Sequence, residues 1–271
     1  MTLPNSSLSH SDIIQRCHHP DRQIIGGLTY GDLVIKLSEE LVVKFGPGVS
    51  VAEADNQRAA FSLLDNSIVR VPRVVDFFTS TDRGYTKGYL VMEYIHGDIT
   101  DSVSVTSKQI DQLVKILTYF STVQCQRPGP LLKPGVSFGL LWEENGKPIF
   151  ESVQEMERWL NFRLKGDESK LELGRFPLVL CHLDLALRNI VWMKDDTVCL
   201  LDWASAGFYP RFFEISLLFM AGPEGYETTL IDRMEKLTDV EEAQMALLEC
   251  SYYNGIRYYV PECREFSKRS D

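Results

Sequence analysis

The 271-residue chain predicts an α+β fold of two lobes: a small antiparallel β-sheet with one helix, then a larger, mainly helical lobe carrying a polar loop and a β-hairpin. Three observations predict it. Short apolar runs separated by turn signals fill residues 24–95. From residue 106 onward, apolar residues recur mainly at helical spacing. A content of 44% apolar and 11% aromatic residues is enough for a sizeable core. The division that follows is a polar leader over residues 1–22, a sheet lobe over 23–95 and a helical lobe over 96–271.

Charge and composition narrow the function classes. A formal net charge of −10 argues against nucleic acid or an anionic membrane as the main partner and suits a neutral or cationic small molecule. Cys17, Cys125, Cys181, Cys199, Cys250 and Cys263 form no CxxC pair, as expected of reduced thiols without disulfides or zinc. No run of about 18 apolar residues exists, and the N-terminus lacks the basic and apolar regions of a signal peptide. The expectation is a cytoplasmic protein, monomeric or weakly homodimeric.

In chain order, the leader holds His10, His18 and His19 near Asp12 and Asp21, but its Ser, Asn and Pro neighbours predict a mobile or loosely docked segment without chemistry. Ile24 to Phe45 reads as three antiparallel strands joined by tight turns. Lys44 falls inside the third, flanked by Val42, Val43 and Phe45. A lysine there must be solvated, paired or used. Gly46-Pro47-Gly48 breaks the strand, and Val51 to Leu64 follows as a helix with Glu53 in its first turn, the natural partner for Lys44. Val71 to Phe78, entered through Pro72, and Gly88 to Ile95 complete a five-stranded sheet, which Gly97-Asp98 ends.

The second lobe opens with a helix over Thr106 to Gln124, whose stripe of Ile110, Leu113, Val114, Leu117 and Phe120 is core. Pro128 to Phe150 reads as an insert loop or hairpin near the cleft. Ser152 and Glu155 form a capping box for a helix with Val153, Met156, Trp159, Leu160 and Leu164 inward. The stretch Cys181 to Trp203, CHLDLALRNIVWMKDDTVCLLDW, is the centre of the lobe. Within it, Ile190 to Met193 and Val198 to Leu201 flank a polar turn, Lys194 to Thr197, and predict a β-hairpin. Such a hairpin sets Asn189 just before its first strand and Asp202 just after its second, at one open end. Phe212 to Met220, Glu227 to Leu237 and Val240 to Tyr259 read as three helices that close the acceptor side. Trp142, Trp159, Tyr209, Glu214 and Tyr253 are candidates to line it.

The order His182-x-Asp184, Asn189, Asp202 supplies the parts of a phosphoryl transfer. That reaction asks for a carboxylate to orient and deprotonate a hydroxyl, here Asp184, and for oxygen ligands to hold magnesium, here Asn189 and Asp202. His182 reads as a brace for the loop. Arg188, beside Asn189, either reaches the transferred phosphate or forms a surface ion pair.

At these residues the chain resembles the aminoglycoside phosphotransferase and choline kinase-like family, with its protein kinase-like fold, and within it the fungal variety. The segments that carry the resemblance are VVKFGPG at Val42 to Gly48, VMEYI at Val91 to Ile95 and DWASAGFYP at Asp202 to Pro210, within a region spanning residues 24–220. The resemblance implies ATP and Mg2+ as cofactors, Asp184 as catalytic base, Asn189 and Asp202 as metal ligands, and Lys44 with Glu53 orienting the phosphates. It also makes Glu93 to Ile95 the crossover whose backbone meets adenine. The implied activity is transfer of the γ-phosphate to a hydroxyl of a small molecule. No GxGxxG is present; Gly26-Gly27 and Gly31 are the glycines near the expected phosphate loop. Leu183 stands where kinases switched by activation-loop phosphorylation carry arginine, and no APE-like segment follows Asp202, which argues against a protein kinase. The competing reading is a pseudokinase or nucleotide-binding scaffold without turnover.

Overall fold

The structure is a computed structural model, and it describes residues 8–27, 31–100, 105–142, 148–164, 169–220 and 225–258. Five antiparallel strands form the first sheet: β1 (Ile24–Gly27), β2 (Leu33–Lys36), β3 (Leu41–Gly46), β4 (Val74–Asp82) and β5 (Tyr85–Glu93). Their order is β1-β2-β3-β5-β4. Successive side chains in a strand face opposite sides, and that period divides the sheet into two faces. Val43, Phe45, Tyr89 and Val91 share one apolar cluster. Leu90 belongs to another, with Val49 and Ala54. Lys44 pairs with Leu90 across β3 and β5 and so faces the second side.

The leader departs from its expectation. Residues His10–His18 form a helix, α1, with a Ser9/Asp12 capping box. Its Ile13 and Cys17 are buried against Ile35, Val43, Phe45, Phe78 and Tyr89. His10 stacks on Phe78 and bonds Asp76 at 2.8 Å. An apolar pair one helical turn apart, Ile13 and Cys17, drives this docking; it is too small to stand out from a polar surround. Helix α2 (Val51–Leu63), capped by Ser50, covers the opposite face.

The helical lobe holds α3 (Ser107–Phe120), α4 (Val153–Asn161), α5 (Phe212–Met220), α6 (Tyr226–Arg233) and α7 (Asp239–Arg257) around one large core. It also holds a sheet that sequence pattern misses. Strands β6 (Gln124–Cys125), β7 (Gly129–Pro130), β8 (Leu178–Cys181) and β11 (Gly207–Tyr209) pair in the order β6-β8-β11-β7. Two- and three-residue strands carry no readable period. The expected hairpin is present as β9 (Ile190–Trp192) and β10 (Val198–Leu200), with Leu200 opposite Ile190. The small lobe and the interlobe connection both add to it: the N–H and C=O of Arg70, in the loop between α2 and β4, bond Val198 and Leu200, and those of Asp98, in the connection after β5, bond Trp192.

Among the described residues, no helix is long and apolar enough to cross a membrane. Cys17, Cys125, Cys181, Cys199 and Cys250 are free thiols; Cys263, Tyr259 and the segment 28–30 of the expected phosphate loop lie outside the described residues.

Candidate active site

The inward stripe of α2 is polar. Glu53, Asn56 and Gln57 lie on one face at helical spacing and are all buried. Glu53 Oε1 accepts from Lys44 Nζ at 2.7 Å, and Lys44 also reaches Asp202 Oδ2 at 3.0 Å. One ammonium thus joins β3, α2 and the residue after the hairpin, 158 positions away. Burial opposes the Lys44 charge, but Glu53 and Asp202 overcome it and hold the lysine protonated, above its ordinary range. Glu53 goes up to about 7: burial is the main cause, Lys44 opposes it, and the charges of Asp202 and Asp32 add to it.

The loop after β8 is strained and braced. Leu183 has φ 62° and Asp202 φ 60°, left-handed values that a side chain makes costly. Glu214, buried in α5, accepts the backbone N–H groups of His182 and Leu183 and so holds the loop at the strained residue. Burial pushes its carboxyl up to about 7, against those two donors. His182 is fully buried, with Nε2 against the Leu201 carbonyl at 3.1 Å and Nδ1 accepting from the Asp184 N–H at 3.3 Å. These two partners select the neutral Nε2–H tautomer, and burial lowers its pKa in the same sense. The histidine ties the segment before Asp184 to the segment before Asp202.

Asp184 receives the Asn189 Nδ2 at 2.9 Å, and the same Nδ2 donates to the Asp184 carbonyl at 2.9 Å. Both amide hydrogens are thereby used, leaving Asn189 Oδ1 for another ligand. Arg188 bonds both Asp184 oxygens, at 2.8 and 3.1 Å, and so takes the ion-pair alternative.

Between the lobes lies a cavity of about 620 Å³, and Asn189 and His182 are not among the residues that line it. Lys44, Glu53, Asp202, Asp184 and Arg188 line it, with Asp32 and Gly48 at one end and Phe138, Leu140, Leu183, Leu185, Leu187, Leu217, Leu218, Tyr226 and Glu227 at the other. Glu93 and Ile95 do not line it. The Glu93 carboxylate is taken by Arg70 at 2.9 Å and by the Arg73 N–H. Ile95 is buried against Val191 and Cys199 of the hairpin.

The aromatic candidates for the acceptor wall are corrected. Trp142 is fully buried and packs on Phe150, Trp159, Tyr209 and Phe213, an aromatic core. Tyr253 is exposed on α7 and away from the cavity. Of the five candidates only Glu214 reaches the cavity, and its oxygens are already engaged by the loop. The insert does contribute, through Phe138 to Leu140; its residues 143–147 lie outside the described residues.

Asn56 has a part that the sequence reading did not assign. Its Nδ2 donates to the Trp203 carbonyl at 3.2 Å and the Ala206 carbonyl at 2.9 Å, while its Oδ1 accepts the Leu131 N–H at 2.8 Å. It pins the chain just past Asp202. The signal was available as a polar residue on the buried face of a helix.

Comparison with known proteins adds the following. A model of the phosphotransferase enzyme family matches residues 30–248. No curated protein matches the chain by sequence. Among solved structures, a thermostable mutant of aminoglycoside phosphotransferase APH(4)-Ia is similar at TM-score 0.54 and 11% identity, covering 87% of each chain. The GDP complex of aminoglycoside 2'-phosphotransferase-IIIa is similar at TM-score 0.52 and 16% identity, covering 92% of this chain and 91% of that one. LicA in complex with AMP is similar at TM-score 0.53 and 20% identity, over 90% and 88%. These similarities are similarities of fold, and they make the architecture protein kinase-like, as expected.

Proposed function

The chain belongs to the phosphotransferase enzyme family, and from that membership we propose that it transfers the γ-phosphate of ATP, with Mg2+, to a hydroxyl of a small molecule. One observation carries the reading: the Lys44 ammonium is clamped between Glu53 and Asp202 on a cavity that Asp184, bonded to Asn189, also borders.

The donor set fits a hard cation. Asp202 offers a carboxylate and Asn189 an amide oxygen, and magnesium takes few protein ligands when phosphates and water supply the rest. Asp202 and Asn189 would hold the ion, which neutralises phosphate charge when bound. The chain's own groups do the remaining work. Lys44 binds phosphate oxygens, and Glu53 keeps its ammonium aimed. Asp184 orients the acceptor hydroxyl and takes its proton as the oxygen attacks phosphorus. Arg188 and Asn189 fix the orientation of that carboxylate, and Glu214 and His182 hold the loop beneath it.

The acceptor end is lined largely by leucines, with Phe138, Tyr226 and the acid Glu227. Apolar walls with few charges suit an alcohol with an apolar body, neutral or carrying a single amine.

Calorimetric titration of ATP with and without magnesium, on wild type and Asp202→Ala, tests the reading without knowledge of the acceptor. Magnesium-dependent binding that the substitution weakens at least tenfold is expected, a loss of about 1.4 kcal/mol. A screen of alcohols and amino alcohols for phosphate incorporation then follows. Absence of ATP binding in the wild type would overturn the reading, and binding without transfer to any acceptor would leave a nucleotide-binding scaffold in its place.

A further inference from the structure

The turn between β3 and α2, Gly46-Pro47-Gly48, carries two glycines with one common neighbour, Asp32, which precedes β2. The Gly48 N–H donates to Asp32 Oδ1 at 2.9 Å. A Cβ on Gly48 would stand 2.4 Å from Asp32 Oδ2. One on Gly46 would stand 2.0 Å from Oδ1 and 2.8 Å from the Asp32 Cα, and Gly46 has φ +156°. At such distances something must shift: at Gly46 it is the Asp32 backbone as well as its carboxylate, and at Gly48 the carboxylate alone, which would have to leave the Gly48 N–H. Asp32 and Gly48 border the cavity beside Lys44, Glu53 and Asp202.

This arrangement has a physical consequence. A glycine-rich phosphate loop works by bringing backbone N–H groups close to phosphates. This chain has no GxGxxG, and two of its glycines near Lys44 are spent on admitting Asp32 instead. The carboxylate joins the exit of the β1–β2 connection to the entry of α2, and α2 carries Glu53. Without it, the two glycines leave the turn free to swing on either side of the fixed Pro47. The carboxylate also brings a negative charge to a site for negative phosphates, so its presence asks for a compensating role. That role is to hold the turn in one place while its charge is aimed at the Gly48 N–H.

We propose that Asp32 is a positioning residue for the triphosphate: it clasps the start of β2 to the Gly46–Gly48 turn and sets the phosphate end of the cleft. The inference rests on the phosphotransferase reading above. The clasp stands beside Lys44, Glu53 and Asp202, so its effect is on phosphate binding rather than on the nucleoside.

The test is calorimetric titration of the full chain with ATP plus magnesium and, separately, with adenosine, on wild type, Asp32→Ala, Asp32→Asn and Gly48→Ala, with thermal melts alongside. Asp32→Ala is expected to weaken Mg-ATP binding about tenfold and adenosine binding by less than about twofold. Asp32→Asn keeps an oxygen for the Gly48 N–H and removes the charge, so it is expected to bind Mg-ATP at least as tightly as wild type. Gly48→Ala drives a methyl into the carboxylate and is expected to repeat the Asp32→Ala loss, which keeps the test decisive if Asp32→Ala fails to fold. Tighter or unchanged Mg-ATP binding by Asp32→Ala overturns the clasp, as does an equal loss of ATP and adenosine binding. A wild type that binds no Mg-ATP overturns the phosphotransferase reading itself, an outcome distinct from either.

Discussion

The carboxylates of this cleft have different tasks because their surroundings differ. Asp184 is bonded by Asn189 and Arg188 and borders the cavity, so its carboxyl group is held in one orientation. Asp184→Asn is expected to lower turnover by about 10²- to 10⁴-fold while leaving Mg-ATP affinity within about twofold. Phosphate release and calorimetry on one preparation check both halves. Glu214 is buried and its carboxyl titrates near 7 rather than at the ordinary 4.5. A raised acid pKa means that the folded chain binds the proton more tightly than the unfolded one. Glu214 therefore stabilises fully below about 4.5, and its contribution is lost as pH rises through about 7. The span corresponds to on the order of 3 kcal/mol. Glu53 shifts in the same direction, by burial first. Melting temperature is accordingly expected to fall between pH 5 and pH 8, and Glu214→Gln to flatten that fall to the part left by Glu53. A pH-independent difference between the two proteins would refute the assignment. Spacing and strand period singled out Asp184, Asn189, Lys44 and Glu53, and the structure brings Lys44 onto Glu53 and Asn189 onto Asp184. Sequence pattern placed Glu214 on the acceptor side, where it does line the cavity, but did not show its hold on the loop, because its partners are backbone N–H groups more than thirty positions away.

At the scale of elements, the site depends on how α2 meets the chain after Asp202. The contact is carried by Asn56, which satisfies two carbonyls of the 203–206 segment and the Leu131 N–H. Asn56→Ala takes a partner from the Ala206 carbonyl and the Leu131 N–H, each at a cost of about 1–3 kcal/mol, while the Trp203 carbonyl keeps the Ala206 N–H. A loss of about 3 kcal/mol in denaturant unfolding is expected, with Asp202 displaced and turnover reduced in proportion to the metal affinity. An undiminished stability would mean that water replaces the amide. The elements themselves were legible unevenly. Helices α3 to α7 announced themselves by apolar spacing, and the hairpin by two β-branched runs about a polar turn. Helix α1 did not, because only Ile13 and Cys17 are buried in it, and histidines such as His10 make further contact with the sheet. The strands β6, β7, β8 and β11 are too short for any period, and only their pairing defines them.

Across the whole molecule, two cations, Lys44 and Arg188, face six acids around the cavity: Asp32, Glu53, Asp184, Asp202, Glu214 and Glu227. Phosphates entering such a field need an added cation. ATP is expected to raise the melting temperature only when magnesium is present, and chelation to abolish the rise. Saturation to about 100-fold over Kd is worth about 2.7 kcal/mol. Lys44→Ala is expected to show little rise even with magnesium, since the bond across the lobes is gone. A full rise in EDTA would contradict the metal assignment. The two lobes are stitched by the hairpin, to which the α2–β4 loop at Arg70 and the interlobe connection at Asp98 both bond, so the cleft width is set by backbone as well as by Lys44. The sequence alone determined the class of fold, the order of the polar residues and the place of Lys44 within a strand, because strand period and motif spacing are local properties. Tertiary structure alone decided that Lys44 bridges to Asp202, that Glu214 holds the loop, that Asp32 fills the glycine turn and that Trp142, Trp159 and Tyr209 are core. Each of those facts is a contact between residues far apart in the chain, and a contact at such separation exists only once packing has brought the two elements together.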